Sequence, residues 1–342
     1  MNTKNIVLLI GALIALSCSN SEPEFDDFEF QGAYFPYQNP ARTLILGDYD
    51  LAFNDNDNDH RFEITALMTG VYTNDIERKI YFEVDNSILN NVANVKALPA
   101  EYYTFETVSP VSIPVGSTKG RIQVQLRDAF FKDTLSFGKV NTTNYVIPLV
   151  MTKADNLDTL SVGRSFIANP DRLNPLDWDV LPKDYTLFGI KFMNRFHGNY
   201  LRRGNDMITE PTATVGRVYN ADFVERDELT LLETAGMDKI KYQNLIGRGE
   251  NSSPGNVVME LSFNADNTCT ISSYKNDPYG VTGTGQFVED GDSFGGNKKD
   301  VIYLNYTYKD AVNAETHTVK DTLVIRDRTA IFEEFTVELK DL

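Results

Sequence analysis

The sequence has few residues that could form covalent cross-links. It contains only two cysteines, Cys18 and Cys269, among 342 residues. A disulfide scaffold needs several cysteine pairs, so we expect an ordinary hydrophobic core to hold the fold together. The hydrophobic content of 42% is sufficient for such a core. Cys269 is then expected to be a small buried residue.

Residue patterns that carry metal or thiol chemistry are also scarce. The three histidines, His60, His197 and His317, lie far apart, and neither Cys-x-x-Cys nor His-Glu-x-x-His occurs. We therefore predict that the protein is not an enzyme and has no metal and no cofactor. Glycoside hydrolysis needs only two carboxylates at a suitable separation, so the 49 acidic residues leave that alternative open.

Positive charge is the third deficit. Lys and Arg total 32 against 49 Asp and Glu, which gives a formal net charge of −17. Binding to nucleic acid depends on Lys and Arg that neutralise phosphates, and no basic stripe is present. We predict no nucleic-acid partner.

The first residues are typical of an export signal. Lys4 precedes an apolar run from Ile6 to Leu16, which is too short to cross a bilayer as a mature helix. The following Ala15-Leu16-Ser17-Cys18 resembles the bacterial lipobox, which implies a signal peptide over residues 1–18 and lipidation of Cys18. Ordinary cleavage that leaves a free thiol is the alternative.

Residues 19–31 are acidic and lack hydrophobic periodicity, so we interpret them as a flexible tether. The acidic stretch after the cysteine is similar to that of Bacteroidetes lipoproteins displayed on the outer surface. The resemblance implies a lipid-anchored, surface-exposed protein of the outer membrane, whose only membrane contact is the anchor.

Residues 32–168 show the alternation of half-buried β-strands. Two stretches show the pattern clearly: Ile80, Phe82 and Val84 alternate with Tyr81 and Glu83, and Ile122, Val124 and Leu126 alternate with Gln123 and Gln125. Short strands separated by turns, without a long amphipathic helix, predict an immunoglobulin-like β-sandwich. The chain as a whole is therefore predicted to be all-β.

Four segments of this region carry a family resemblance. They resemble the N-terminal domain of unknown function of Bacteroidetes surface lipoproteins from glycan-utilisation loci, in the SusE-like position. The resemblance implies a spacer or docking module beside a SusD-like protein and a TonB-dependent transporter. The segments are Ala33-Tyr34-Phe35-Pro36, Leu98-Pro99-Ala100-Glu101-Tyr102-Tyr103, Ile113-Pro114-Val115-Gly116-Ser117 and Tyr145-Val146-Ile147-Pro148-Leu149.

The proline-rich residues 169–183 are predicted to link this sandwich to a second β domain over residues 184–342. Within it, Val257, Met259, Leu261 and Phe263 share one face of a strand in a predicted hairpin. Phe188 to Ile190 would open the domain, and Ile331 to Leu339 would supply the last strand. Successive hairpins favour an antiparallel, calycin-like barrel, with a second sandwich as the alternative.

Three segments could bind a sugar through aromatic rings and polar groups. The first is the loop Tyr274-Lys275-Asn276-Asp277-Pro278-Tyr279, whose tyrosines could instead merely cap the barrel. Trp178 could stack on a ligand or pack between domains, and Tyr200-Leu201-Arg202-Arg203-Gly204 could grip hydroxyl groups or form a solvated turn. The candidate ligand-binding residues are Trp178, Tyr200, Arg202, Arg203, Tyr274, Asn276, Asp277 and Tyr279.

These features predict a non-catalytic surface lipoprotein that holds an oligosaccharide or polysaccharide near its transporter. The alternatives are a structural, partner-docking subunit, a lipocalin-like binder of small molecules, and a glycoside hydrolase. A docking subunit would expose a broad apolar patch. The loop from Asn54 to Asp59 departs from the EF-hand pattern and is interpreted as a solvated turn, with calcium binding left open.

Overall fold

The computed structural model describes residues 27–49, 51–245, 255–328 and 331–340. The predicted signal peptide with Cys18, and residues 19–26 of the predicted tether, lie outside these ranges. No helix within the ranges is long and apolar enough to cross a membrane.

The first group of elements extends from residue 32 to residue 193. Its helices are α1 (Asp55–Asn58) and α2 (Asp128–Lys132). Its strands are β1 (Gly32–Tyr34), β2 (Pro40–Ile45), β3 (Arg61–Thr69), β4 (Arg78–Val84), β5 (Lys96–Ala97), β6 (Tyr103–Phe105), β7 (Val111–Ile113), β8 (Lys119–Leu126), β9 (Tyr145–Asp155), β10 (Thr159–Leu160), β11 (Arg164–Ser165), β12 (Trp178–Val180) and β13 (Tyr185–Met193).

The second group of strands follows and ends near the carboxyl terminus. These are β14 (Gly198–Thr209), β15 (Thr214–Tyr219), β16 (Glu228–Thr234), β17 (Lys239–Leu245), β18 (Asn256–Phe263), β19 (Thr268–Ser273), β20 (Thr282–Phe294), β21 (Asn297–Asp310), β22 (Glu315–Asp327) and β23 (Glu333–Glu334). Single 3-10 turns span Asn86–Leu89, Ala100–Tyr102, Thr134–Ser136, Pro175–Asp177 and Val224–Arg226.

Two sheets form the N-terminal sandwich. One has the strand order β10-β1-β3-β8-β6, and the other has the order β23-β2-β13-β9-β4-β7, with β5 on β9. Alternating residues of both sheets point inward, and Ile64, Ile80, Ile122 and Leu149 are at most 1% exposed. The predicted faces of β4 and β8 are confirmed, except that Val84 is exposed.

A closed barrel follows the sandwich. Strand β14 pairs with β16 and, along its opposite edge, with β22, so that β14 and β16 to β22 form a ring of eight strands. Strand β15 extends the β16 side by pairing with the second half of β14. The inward residues of β18 are all buried, as predicted. The all-β prediction of a sandwich and a barrel is thus confirmed.

The boundaries of the domains differ from those predicted. Strand β13 pairs with β2 and β9, and β23 pairs with β2, so both ends of the predicted segment 184–342 belong to the sandwich. Residues 169–183 therefore do not link the two folding units. The apolar sequence around Phe188 has the pattern expected of a buried strand in either a sandwich or a barrel. Only its pairing partners show to which of the two it belongs.

The end of the predicted tether is bound to the sandwich. The Phe28 N–H donates to the carbonyl oxygen of Gly70 at 3.0 Å, and the Arg78 guanidinium donates to the side chain of Gln31. Residues 27–31 are thus ordered parts of the domain, which the acidic composition of this stretch did not indicate.

Arg328 joins the barrel to the sandwich. Its guanidinium donates to the carbonyl oxygens of Leu46 and Asp48 at 3.0 Å each and to that of Asn194 at 2.7 Å. The Asn194 side chain in turn donates to Gly236 and Lys239 of the barrel. The barrel end that holds these contacts is called the proximal end, and the opposite one the distal end.

Candidate functional site

The centre of the barrel holds a buried polar network. Arg202 of β14 donates twice to the Asp321 carboxylate of β22, at 2.9 Å through both Nε and Nη2. Tyr219, Tyr242 and Tyr306 donate their hydroxyls to the same carboxylate at 2.6, 3.4 and 2.9 Å. Arg202 and Asp321 are 1% and 2% exposed. The network is therefore shielded from water.

Gly204 makes room for this network. A Cβ at this position would lie 2.7 Å from Asp321 Oδ1 and 2.1 Å from the Lys320 carbonyl oxygen, so only glycine fits. Burial alone would lower the pKa of Arg202, but the adjacent Tyr242 and Asp321 outweigh it and raise that pKa. The charged guanidinium of Arg202 is therefore paired with other residues of the protein.

Two residues predicted to bind ligand are thus buried in the barrel. Tyr200 is 0% exposed, and its hydroxyl donates to the Phe196 carbonyl oxygen at 3.0 Å. Arg202 is occupied by Asp321, and Arg203 donates to the buried Asp227 carboxylate at 2.6 Å. The prediction that this segment is exposed and binds a ligand is wrong for Tyr200 and Arg202. Side chains alternate between the two faces of a strand, and both of these residues lie on the face of β14 that points into the barrel.

Trp178 has a local structural contact. Its indole Nε1–H donates to the Asp171 carbonyl oxygen at 2.8 Å, and the side chain is half-buried. This bond closes the turn that precedes β12. Part of the ring remains exposed, so the stacking of a ligand on Trp178 stays a prediction.

The predicted loop 274–279 lies at the distal end and is ordered by Asp277. The Asp277 carboxylate accepts hydrogen bonds from the backbone N–H groups of Val258 and Tyr279, at 3.0 and 3.2 Å. Asn276 is exposed, whereas the Tyr274 and Tyr279 rings are half-buried. Asp277 is itself half-buried and shapes the loop through these hydrogen bonds.

Tyr279 connects this loop to a second group of side chains. Its ring packs edge-on against Tyr308, with centroids 6.4 Å apart, and Tyr308 stacks on the His317 imidazole at 4.3 Å. Burial raises the pKa of the Tyr279 hydroxyl, and the nearby Asp310 and Asp277 raise it further. The loop therefore adjoins an acidic group of residues around His317.

That acidic group, here called the distal cluster, consists of Asp206, Asp310, Glu315 and His317. All four are buried, with exposures of 2%, 0%, 6% and 0%. One ligand atom each of Asp310, Glu315 and His317 lies within 4.8 Å of the other two. Asp310, Glu315 and His317 are close together in the sequence but form none of the common metal-binding motifs. Asp206 is distant in the chain and meets His317 only because β14 pairs with β22.

A separate cleft with exposed rings lies at one side of the sandwich. Tyr37 and Phe332 are 48% and 66% exposed, and their ring centroids are 5.1 Å apart. The cleft has a volume of about 180 Å³, and its walls include Phe188, Arg42 and Glu63. We call it the ring cleft. Both of its exposed rings were missed from the sequence.

The pairing of β23 with β2 creates the ring cleft. Glu333 lies opposite Ala41, and the Phe335 N–H donates to the Asn39 carbonyl oxygen at 3.0 Å. This brings Phe332 beside Tyr37. The only sequence signal was the aromatic-rich stretch that ends at Tyr37, since nothing in the chain indicates its distant partner.

The loop from Asn54 to Asp59 contains α1 and is only partly solvated. Asp57 is 1% exposed, and its carboxylate accepts from the Ile45 N–H at 2.9 Å and from Arg42 at 2.6 Å. Asn54 donates to the carbonyl oxygens of Ile45 and Gly47. These contacts give Asp57 and Asn54 a structural role in holding α1 against β2.

One hydrolase-like pattern does occur in the chain. Gly291-Asp292-Ser293-Phe294-Gly295 matches Gly-x-Ser-x-Gly, whose chemistry requires a sharp turn from a strand into a helix. Here Ser293 lies within β20 and pairs with Lys298 of β21 in an antiparallel hairpin. Among the described residues, no histidine contacts its hydroxyl. The local structure is therefore not that of a nucleophile elbow.

Comparisons with known proteins agree with this architecture. A model of a domain of unknown function, DUF5627, matches residues 195–329, and a model of an N-terminal domain matches residues 26–158. A Bacteroides ovatus protein of unknown function, known from a crystal structure, is 34% identical over 92% of this chain and 100% of its own, with a TM-score of 0.85. This chain belongs to the same family.

Two further comparisons add nothing on function. An auxiliary nutrient binding protein from Bacteroides thetaiotaomicron is 12% identical over 78% of this chain and 82% of its own, and its TM-score of 0.37 is too low to support an argument. No curated protein matches the chain. Within the family, the DUF5627 match begins directly after β13 and thus agrees with the boundary that the strand pairing shows.

Proposed function

We propose that this family member is a non-catalytic, cell-surface lipoprotein that binds a glycan and holds it near an outer-membrane transporter. The observation that carries the proposal is the ring cleft. Sugars present apolar C–H faces that stack on aromatic rings, and Tyr37 and Phe332 offer two exposed rings side by side. Arg42 and Glu63 supply polar groups at the rim.

The size of the ring cleft suits part of a long ligand. Sites that enclose a whole small molecule occupy roughly 300–1,000 Å³, whereas this cleft has about 180 Å³. It would hold one or two sugar rings and leave the rest of a chain on the surface. A binder that passes a polysaccharide onward needs such an open site.

The lipocalin-like alternative has less support. It requires an interior lined by inward apolar side chains with room for a ligand. In the described barrel, Arg202, Asp321 and Tyr306 occupy the centre and hydrogen-bond to one another. An apolar molecule placed there would separate a buried ion pair, which is strongly unfavourable.

Affinity electrophoresis in gels that contain single polysaccharides tests the proposal, with the chain from residue 19 to residue 342. We expect Tyr37→Ala and Phe332→Ala each to weaken retardation about tenfold, since one ring over one sugar face contributes about 1–2 kcal/mol. Phe53→Ala is the matched control, because that ring is fully exposed but outside the cleft.

Other outcomes would reject or redirect the proposal. Retardation lost with Tyr274→Ala and Tyr279→Ala, but kept in the cleft variants, would place the site at the distal loop. No retardation by any polysaccharide would contradict glycan binding. Release of reducing ends during incubation would favour a hydrolase.

The surface location is part of the proposal and has its own test. Cys18 is the expected lipidation site, so Cys18→Ala should abolish incorporation of labelled palmitate and release the protein from the membrane fraction. Protease treatment of intact cells should degrade the wild-type protein. Protection from protease until the cells are lysed would contradict surface display.

The docking alternative is favoured by one observation. Residues 162–181 expose an unusual concentration of large apolar side chains: Val162, Phe166, Ile167, Leu176, Val180 and Leu181 are each at least 49% exposed. Exposed apolar patches often mark protein interfaces. If a SusD-like protein or TonB-dependent transporter binds here, Phe166→Ser with Leu176→Ser should reduce its co-purification, whereas Phe53→Ser should not.

A further inference from the structure

The distal cluster combines buried carboxylates with a histidine that lacks a complete set of hydrogen bonds. His317 Nδ1 lies 2.7 Å from Asp206 Oδ2. A carboxylate can only accept, so Nδ1 must carry the hydrogen. The other ring nitrogen, Nε2, is fully buried and has no hydrogen-bond partner among the described residues. It points towards Glu315, with Oε2 at 3.3 Å.

This contact needs a positive charge between the two atoms. A neutral imidazole with its hydrogen on Nδ1 presents a lone pair at Nε2, and the Glu315 carboxylate presents lone pairs too. Two acceptors that face each other in a buried place repel. A cation bound between the two atoms would remove the repulsion.

The distances are those of ligands around a metal ion. Zinc binds imidazole nitrogen and carboxylate oxygen at about 2.0–2.2 Å, so two tetrahedral ligand atoms lie about 3.3–3.5 Å apart. The distance from Nε2 to Oε2 is 3.3 Å, and the Asp310 carboxylate completes a group whose atoms lie within 4.8 Å of one another. Small side-chain movements would bring all three to one ion.

The surroundings resemble those that orient metal ligands elsewhere. A ligating histidine commonly donates its second N–H to a carboxylate, and Asp206 accepts that bond here. Asp310 also accepts hydrogen bonds from the Val312 N–H and the Asn313 side chain, both at 3.0 Å. The ligands are thus held in place by the β21–β22 turn and by β14.

We propose that the distal cluster binds one divalent transition-metal ion, with Zn²⁺ as the best match. His317 Nε2, Glu315 and Asp310 are the ligands, and Asp206 is a positioning residue. An imidazole among the ligands disfavours Ca²⁺ and Mg²⁺, which prefer oxygen ligands. The proposal goes beyond glycan binding and does not depend on the ring cleft. It also reverses the expectation of a metal-free protein.

Isothermal titration calorimetry tests the site. ZnCl₂ is titrated into a protein that comprises residues 19–342 and has been freed of metal with a chelator. We expect saturation at one Zn²⁺ per chain and a rise in melting temperature on Zn²⁺ addition. His317→Gln should abolish both effects. Glu315→Gln and Asp206→Asn should each weaken binding roughly 10–100-fold.

The controls separate this site from unspecific binding. His60→Gln removes a histidine of the sandwich and should leave the titration unchanged. Equal concentrations of Ca²⁺ and Mg²⁺ should not displace Zn²⁺. Glu315→Gln should bind any polysaccharide with the same affinity as the wild type, and Tyr37→Ala should bind Zn²⁺ as the wild type does. The two proposals can therefore be rejected independently of each other.

Two results would overturn the proposal. The first is that the wild-type chain shows no heat of binding and no change in melting temperature when Zn²⁺ is added. The second is that His317→Gln and Glu315→Gln bind Zn²⁺ as the wild type does. Circular dichroism checks the fold of each variant, and Glu315→Gln, nearly isosteric at the least buried position, covers the case in which His317→Gln misfolds.

Discussion

The sandwich and the barrel fill their interiors with different chemistry. Between its sheets the sandwich packs apolar side chains such as Ile64, Ile122 and Leu149. The barrel also has apolar layers, but its centre holds Arg202 against Asp321, and its distal end holds the acidic group around His317. In an apolar core, each contact contributes a roughly similar stabilising free energy. A buried ionic network is stable only while each charge keeps its partners.

This difference shows where the molecule can carry specific chemistry. The desolvated groups of the barrel are already oriented by their neighbours, as the five hydrogen bonds donated to the Asp321 carboxylate illustrate. Apolar residues of the sandwich core have no such capacity, and the proposed binding site of the sandwich, the ring cleft, lies at its surface.

Breaking the central ion pair should have the largest effect. Arg202→Met leaves the Asp321 charge buried with only hydroxyl partners, so we expect the free energy of unfolding to fall by about 3–5 kcal/mol. Urea denaturation followed by circular dichroism measures this change. Adding Asp321→Leu to the same chain should recover part of the loss, because no unpaired charge then remains.

A surface pair provides the control for that prediction. Arg121 donates to Glu63 at 2.6 Å, but the two side chains are 60% and 26% exposed. Arg121→Met should therefore change the free energy of unfolding by at most about 1 kcal/mol. Equal losses from Arg121→Met and Arg202→Met would remove the distinction between the two regions.

Acid should destabilise the proximal end of the barrel through His197. Burial, followed by the charge of Arg328, lowers the pKa of this imidazole to about 4. The unfolded chain binds the proton near pH 6.5, so stability present above about pH 6.5 is lost as the pH falls towards 4. The full loss is about 3 kcal/mol.

Unfolding measured at several pH values isolates this contribution. In His197→Gln, the difference in stability between pH 7 and pH 4 should be smaller than in the wild type by up to about 3 kcal/mol. A variant that loses stability with acid as steeply as the wild type would show that His197 does not titrate as its burial indicates.

The smallest effect should be the same in both regions. Ile122 of the sandwich and Ile302 of the barrel are each 0% exposed. Ile122→Val and Ile302→Val each remove one methylene-sized group, so each should cost about 0.5–1.5 kcal/mol. Chemical denaturation of both variants checks this. A barrel value well above the sandwich value would show that its apolar layers are coupled to the ionic network.

Much of the local structure could be predicted from the sequence. Alternating apolar residues correctly indicated the buried faces of β8 and β18, and the predicted hairpin is formed by β18 and β19. Proline in a strand usually indicates an edge or a bulge, but Pro148 lies in β9, which has neighbours on both sides. It falls in the gap between the residues of β9 that pair with β5 and those that pair with β4. Local pattern thus predicted strands better than their place in a sheet.

The candidate site was predicted only in part. The loop from Tyr274 to Tyr279 does lie at a barrel end, beside the distal cluster. Tyr200 and Arg202 were expected at the surface, because a single turn-like stretch of sequence does not show which face of β14 is enclosed. Tyr37 and Phe332 were missed because they are distant in the chain, and the contact of Asp206 with His317 was missed for the same reason. Asp310, Glu315 and His317 are close in the chain but match no common metal-binding motif.

The amino-acid sequence by itself determined the all-β class, the strand faces and the acidic character of this protein, because these follow from composition and from a period of two residues. Only the tertiary structure decided that β13 and β23 belong to the sandwich, that Tyr37 meets Phe332 and that Asp206 meets His317. Such contacts depend on which distant strands pair, and that choice reflects the burial of the whole chain rather than any local preference.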